Sequence, residues 1–140
     1  MVPLRKNADA RQPCQSSISP GAREFVNHLR FVAMDCRAKP RADLFEACAL
    51  LHVSQSASRD AFAQALTRCL GEALGKPARL LAPGTDELTF DEHWLVQLGI
   101  ACARDDDASL TFLLRSRVAF ENRRLVGFLM GNLSECFSLI

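Results

Sequence analysis

Apolar side chains recur every three to four positions along most of this chain, the spacing that places them on one face of an α-helix. The clearest stretch runs from Ala61 to Leu74. Its apolar face is made of Ala61, Phe62, Ala65, Leu66, Cys69, Leu70, Ala73 and Leu74. Gly75 can adopt the left-handed conformation that ends a helix, and Pro77 prevents its continuation. The pattern therefore predicts an amphipathic helix that ends at Leu74.

The same spacing predicts helices elsewhere in the chain. Six are expected in all, at about residues 20–37, 40–51, 61–74, 90–103, 107–117 and 120–137. Short links separate most of them, which favours an all-α fold: a compact bundle of about six amphipathic helices. We expect residues 19–140 to form a single helical domain.

Polar residues mark where several of these helices begin. Ser19 is a candidate N-cap, followed by Pro20 at the first helical position, where its missing N–H costs nothing. Thr89 and Glu92 have the spacing of a capping box, in which each side chain accepts from the other residue's backbone N–H. The carboxylates of Asp105–Asp107 suit a helix start because they face the positive end of the helix dipole.

The first 18 residues differ from the rest of the chain. They are polar and without helical spacing, so we predict a flexible N-terminal arm over residues 1–18. Elsewhere the chain is too hydrophobic and too weakly charged for disorder, since 49% of its residues are hydrophobic and its formal net charge is +1. That charge gives no general attraction to nucleic acid or to an anionic membrane, so any such binding needs a local patch.

The cysteine pattern indicates a reduced protein. The six cysteines are Cys14, Cys36, Cys48, Cys69, Cys102 and Cys136, and no two of them have CxxC spacing. Five fall on the apolar faces of predicted helices, where a thiol packs as a small hydrophobic group. Residues Met1–Lys6 lack the apolar core of a signal peptide, and no apolar run approaches the roughly 18 residues needed to cross a bilayer. We therefore expect a cytoplasmic protein without a membrane partner.

Composition also suggests a source. Lysine is rare, with Lys6, Lys39 and Lys76 as its three positions, while arginine supplies every other positive side chain. Together with abundant alanine and leucine, this bias is typical of a GC-rich bacterial genome.

Candidate chemistry is sparse, and the sequence predicts neither a cofactor nor a metal site. His93 has no ligating side chain three or four residues away on its predicted helix, and Asp105–Asp107 lacks the glycine and distal glutamate of a calcium loop. A surface or structural histidine is one interpretation of His93. The alternative is a small-ligand pocket, or an active site, built around His93 and Trp94 between helices.

The most distinctive charged group lies at a predicted corner between two helices. It consists of Arg115, Arg117, Arg123 and Arg124, which we call the arginine corner. Guanidinium groups bind phosphates and carboxylates well, so the corner is a candidate site for nucleic acid, an anion or an acidic partner. The other interpretation is an exposed face whose charges pair with Asp105–Asp107 and other carboxylates.

The C-terminal region is unusually apolar for a chain end. Its large apolar residues are Phe128, Leu129, Leu133, Phe137, Leu139 and Ile140. We expect them to dock either into the protein's own core or into a second subunit. Because no group of catalytic residues is recognisable, the sequence favours a non-enzymatic protein-interaction or regulatory module. A homodimer is one form that this module could take. Nucleic-acid or anion binding at the arginine corner and a pocket around His93 and Trp94 are the alternatives.

Overall fold

The computed structural model describes residues 18–38 and 55–140, and these ranges contain helices and no strand. The five helices are α1 (Pro20–Ala38), α2 (Gln55–Leu74), α3 (Phe90–Ala103), α4 (Asp107–Arg117) and α5 (Phe120–Ser134). The predicted all-α class is therefore confirmed. The predicted count of about six is one too high for the described part, and the helix expected at 40–51 lies outside it, as do residues 1–17 of the predicted arm.

Three predicted helix starts are present, whereas α2 begins at Gln55, earlier than the expected residue 61. The Ser19 hydroxyl accepts the N–H of Ala22 at 3.1 Å. The capping box of α3 is complete: Thr89 Oγ1 accepts the N–H of Glu92 at 3.1 Å, and Glu92 Oε1 accepts the N–H of Thr89 at 3.0 Å. Asp106 caps α4 through its own side chain. Local side-chain chemistry thus sets where these three helices begin.

One hydrophobic core joins the described helices. Its centre is formed by α1, α2, α3 and α5, represented by the fully buried side chains of Phe25, Leu66, Leu98 and Met130. Helix α5 packs against α2 and α3, and α1 packs against α2. Helix α4 lies at the edge, because Leu114 is its one buried residue. Most of α4 therefore borders solvent.

The C-terminal end corrects one predicted boundary. Helix α5 ends at Ser134 rather than near 137, and Phe137 and Leu139 are buried in the core. A Cβ built at Gly21 would overlap the Ser138 carbonyl oxygen, so the tail crosses directly over the start of α1. A Cβ built at Gly99 would come within 2.7 Å of the Leu139 side chain. A continued helix could not place these side chains on α1 and α3, so burial of Phe137 and Leu139 outweighs further helix formation.

None of the described helices combines the length and the apolar character that crossing a bilayer would require.

Candidate docking site beside the arginine corner

The link between α2 and α3 is an irregular loop, residues 75–89, that lies against α1. A loop of this length brings many backbone N–H and C=O groups to the protein surface, and each of them needs a hydrogen-bond partner. Two adjacent carboxylates at the start of α3, those of Asp91 and Glu92, supply several of the partners.

Glu92 is fully buried and lies between the loop and α1. Its Oε2 accepts hydrogen bonds from Arg30 Nε and from the N–H of Leu81, both at 2.8 Å. Its Oε1 accepts from Arg30 Nη2 and from the N–H of Thr89, both at 3.0 Å. Burial alone would raise the pKa of Glu92, but the hydrogen bonds from Arg30, Leu81 and Thr89 outweigh it and hold the pKa below its usual range.

Arg30 is 1% exposed and uses every guanidinium N–H. Besides the two bonds to Glu92, Nη1 donates to Asn27 Oδ1 at 2.9 Å and to the Thr85 carbonyl at 2.8 Å. Its Nη2 also donates to the Glu87 carbonyl at 2.7 Å. A buried arginine is tolerated only when its charge and its donors are all matched, and here they are. The Arg30–Glu92 pair consequently attaches the loop to both α1 and α3.

Asp91 holds the other side of the same loop. Its Oδ2 accepts the N–H of Arg79 at 2.7 Å, and its Oδ1 lies 2.7 Å from Arg117 Nη2. Burial works against ionisation of this carboxyl, but the Arg79 N–H and the Arg117 guanidinium more than compensate. They keep the pKa of Asp91 below its ordinary value.

Arg117 connects α4 to the start of α3. Its guanidinium carbon lies 5.0 Å from the ring centres of both Phe90 and Trp94. Its Nη1 is buried without an oxygen or nitrogen partner in the described residues, and the two ring faces provide favourable electrostatic contact instead. The indole N–H of Trp94 donates to the Leu113 carbonyl at 3.1 Å. These contacts fix the α3–α4 pair and the position of Phe90.

A surface notch of about 530 Å³ opens where the loop meets α3. We define the notch by five of its lining residues: Lys76, Arg79, Leu81, Leu88 and Phe90. The Phe90 ring is 73% exposed although its backbone is fixed at the first position of α3. The notch therefore combines an exposed aromatic ring, two leucines and two cations, with Glu87 as the lining carboxylate not engaged by Arg117.

The four residues of the arginine corner differ in their contacts. Arg117 is engaged with Asp91, and Arg123 donates to the Val118 carbonyl at 2.9 Å while stacking 5.6 Å from the ring centre of Phe120. Arg115 and Arg124 are exposed. The carboxylate that pairs with Arg117 is Asp91 at the start of α3, one of the other carboxylates expected as partners alongside Asp105–Asp107. Arg117 thus joins α4 to α3, Arg123 stabilises the corner itself, and Arg115 and Arg124 face solvent.

The structure places His93 and Trp94 in different surroundings. Trp94 is buried, with its ring faced by Arg117 and its N–H bonded to a carbonyl, while His93 is partly exposed in the first turn of α3. Neither residue lines the notch. In the part of the chain that the structure describes, no three histidine, cysteine or acidic side chains are grouped so that they would hold a metal ion.

The described cysteines pack as half-buried side chains, as expected for Cys36, Cys69, Cys102 and Cys136. Burial raises the pKa of Cys69 to about 11, and burial likewise raises the pKa values of Cys102 and Cys136. These three thiols are therefore protonated near neutral pH and are poor nucleophiles. Cys14 and Cys48 lie outside the described residues.

The sequence patterns predicted none of the notch residues, and they also missed the roles of Arg30 and Asp91. A signal for Arg30 was available, because it lies one residue after Leu29 within the apolar stripe of α1 and a buried arginine needs a carboxylate partner. Asp91 was expected only as a residue within the predicted helix at 90–103. Nothing in the spacing indicates that Phe90 would remain exposed.

Comparison of the chain with protein-family models, with curated proteins and with solved structures gives no match.

Proposed function

We propose that this protein is a non-enzymatic protein-interaction module whose notch binds an acidic, apolar segment of another protein. The observation that carries the proposal is Phe90: a large aromatic side chain, 73% exposed, on a backbone fixed at the rim of a formed cavity. Aromatic residues are enriched in the cores of protein interfaces, and the residues that dominate binding energy lie in well-packed pockets.

Rigidity of the loop supports the proposal. Arg79 and Leu81, which line the notch, donate their backbone N–H groups to the carboxylates of Asp91 and Glu92. A notch held in this way does not have to be ordered when a partner arrives, so less of the interaction energy is lost on binding. A preformed shape also favours a partner that inserts one apolar side chain.

Charge indicates the chemistry of the partner. Lys76 and Arg79 line the notch, and the carboxylate of Asp91 is already paired with Arg117. An arriving carboxylate would meet more positive than negative charge at the rim.

Selection from a random-peptide display library on the immobilised full chain tests this proposal. We expect the enriched peptides to combine Asp or Glu with a large apolar residue. In anisotropy titrations, Phe90→Ser should weaken their binding by about tenfold or more, as for a central interface residue. The matched control is Phe112→Ser, since Phe112 is 69% exposed on α4 away from the notch and should change affinity less than about twofold. Enrichment of non-acidic peptides, or equal affinity for the Phe90 variant, would refute the assignment.

Nucleic acid is the second candidate, because an exposed aromatic ring beside two cations can stack on a base while the cations contact phosphate. The net charge of +1 favours it less than a protein partner. Titration of a fluorescent single strand and a duplex at low salt distinguishes the two. Binding that weakens steeply with salt and is lost in Phe90→Ser would replace the protein partner with nucleic acid.

A further inference from the structure

Helix α5 turns a second, separate surface to solvent. Its exposed residues are Phe120, Glu121, Arg124, Leu125 and Phe128, which we call the α5 face. Three of them are large apolar side chains with exposed fractions of 80%, 40% and 60% in chain order. Scattered apolar residues are normal on a protein surface, but three on one helix face are typical of an interaction site.

Helix geometry explains why these residues share a face. Positions 121, 124 and 128 follow the three- and four-residue spacing of one helical side, whereas Val126, Leu129, Met130 and Leu133 occupy the opposite side and are buried. The α5 face therefore points away from the core except at Phe128, whose ring lies edge-on against Phe62 of α2, with 6.3 Å between the ring centres.

The α5 face carries one negative and one positive side chain. Glu121 and Arg124 lie side by side at its centre, flanked by the apolar residues. Within residues 18–38 and 55–140, neither of them makes an ion pair within 4.0 Å. A partner of one charge sign would satisfy only one of the two.

A second copy of the same face satisfies both. If two α5 helices pack antiparallel about a two-fold axis that passes between positions 121 and 124, Glu121 of each copy faces the other copy's Arg124. The same register places Phe120 opposite the second copy's Leu125. Such a two-fold contact is self-complementary, which is the requirement for a symmetric homodimer. We propose that the α5 face is the interface of a homodimer of this chain.

This interface is independent of the notch, because the two surfaces share no residue. A homodimer built in this way would carry two notches and bind two partner segments. Failure of dimerisation would leave the proposed function of the notch untouched, and loss of peptide binding would leave the dimer.

Charge reversal provides the test, read by sedimentation equilibrium of the full chain from about 1 to 100 µM. The wild type is expected at twice the 15.5 kDa mass of the chain. The interface contains two pairs of positions 121 and 124, one on each side of the two-fold axis. Glu121→Arg and Arg124→Glu each give both pairs two charges of the same sign, so each should weaken dimerisation by about tenfold or more. The double variant E121R/R124E should restore it. An equimolar mixture of the two single variants should form a heterodimer, visible by native mass spectrometry, because every pair is then opposite in sign.

Glu72→Arg is the matched control for general charge effects, because it reverses the charge of an exposed residue of α2. It should leave the mass measured by sedimentation equilibrium unchanged. Circular dichroism establishes that each variant is folded. A wild type that remains monomeric at 100 µM, single variants that dimerise like the wild type, or a double variant that stays monomeric would each overturn the proposal.

Discussion

At the scale of single residues, two neighbouring carboxylates organise the surface that we assign to binding. Asp91 and Glu92 point to different sides of the start of α3, and each meets an arginine from another helix and a backbone N–H of the loop. Their acidic character near a helix N-terminus is favourable by itself. The longer-range role, which is to fix loop 75–89, depends on Arg30 and Arg117.

Removing the charge of Glu92 should therefore be costly. Glu92→Gln keeps the shape of the side chain but leaves the buried Arg30 without a counter-charge, so we expect a loss of about 3–5 kcal/mol in the free energy of unfolding. Urea denaturation monitored by circular dichroism measures it. Asp86→Asn is the matched control, because Asp86 lies 3.9 Å from Arg23 and is 91% exposed. That control should change stability by less than about 0.5 kcal/mol, and a similar loss in both variants would contradict the assigned role of Glu92.

Burial of the His28 imidazole predicts that the stability of the fold depends on pH. Burial, followed by the charge of Arg59, lowers the pKa of His28, and its ring lies 5.6 Å from that of Phe137. Because the unfolded chain has the higher pKa, near 6.5, the unfolded state binds the proton more readily. Stability should be fully present above about pH 6.5 and should decrease as the pH falls toward the folded-state pKa. Chemical denaturation at several pH values between 7 and 5.5 gives the free energy of unfolding as a function of pH. This free energy should depend less steeply on pH in His28→Gln than in the wild type, and an unchanged slope would contradict this role for His28.

At the scale of elements, sequence patterns located the helices better than they located the helix contacts. The bounds predicted for α3 and α4 agree with the structure, because both helices are set by local caps, a capping box at Thr89 and a carboxylate at Asp106. The end of α5 was predicted three residues late. Apolar spacing continues through Phe137, and periodicity alone does not distinguish a helix from a tail that buries the same side chains.

The close approach of the C-terminal tail to α1 gives a sharp test of this tertiary contact. Gly21→Ala introduces a methyl group into the space occupied by the Ser138 backbone, which cannot move aside as a flexible side chain would. We expect a destabilisation of about 1–3 kcal/mol, as for overpacking in a core. Gly71→Ala in α2 is the control, since a Cβ there meets no atom within 4 Å and should stabilise the helix by up to about 1 kcal/mol. The midpoint temperatures of thermal unfolding of the two variants should shift in opposite directions from that of the wild type. A Gly21 variant as stable as the wild type would refute the position of the C-terminal tail.

At the scale of the whole molecule, the sequence predicted the class and left the arrangement open. Amphipathic spacing was sufficient for an all-α fold, because each helix needs one apolar face to be buried. Nothing local indicated that Arg30 of α1 would reach Glu92 of α3, sixty-two positions away, or that loop 75–89 would form a notch. These features depend on which helices are neighbours, and spacing within a helix does not contain that information.

The same limit explains the arginine corner. Its four residues were correctly expected beside a turn between two helices, but their roles depend on what faces them. Phe90 and Trp94 engage Arg117, and the Val118 carbonyl engages Arg123. Arg117 thereby helps to position the notch that we propose as the binding site.

The central claim is that two carboxylates hold loop 75–89 as a preformed notch, and backbone hydrogen exchange followed by NMR tests it most directly. The N–H groups of Arg79, Leu81 and Thr89 are donated to Asp91 or Glu92, so they should exchange at least about 100-fold more slowly than in an unstructured peptide. The N–H of Ala82, which makes no hydrogen bond within the described residues, should exchange rapidly and provides the internal control. Equally fast exchange at Arg79, Leu81 and Ala82 would show that the loop is not held, and would contradict the account.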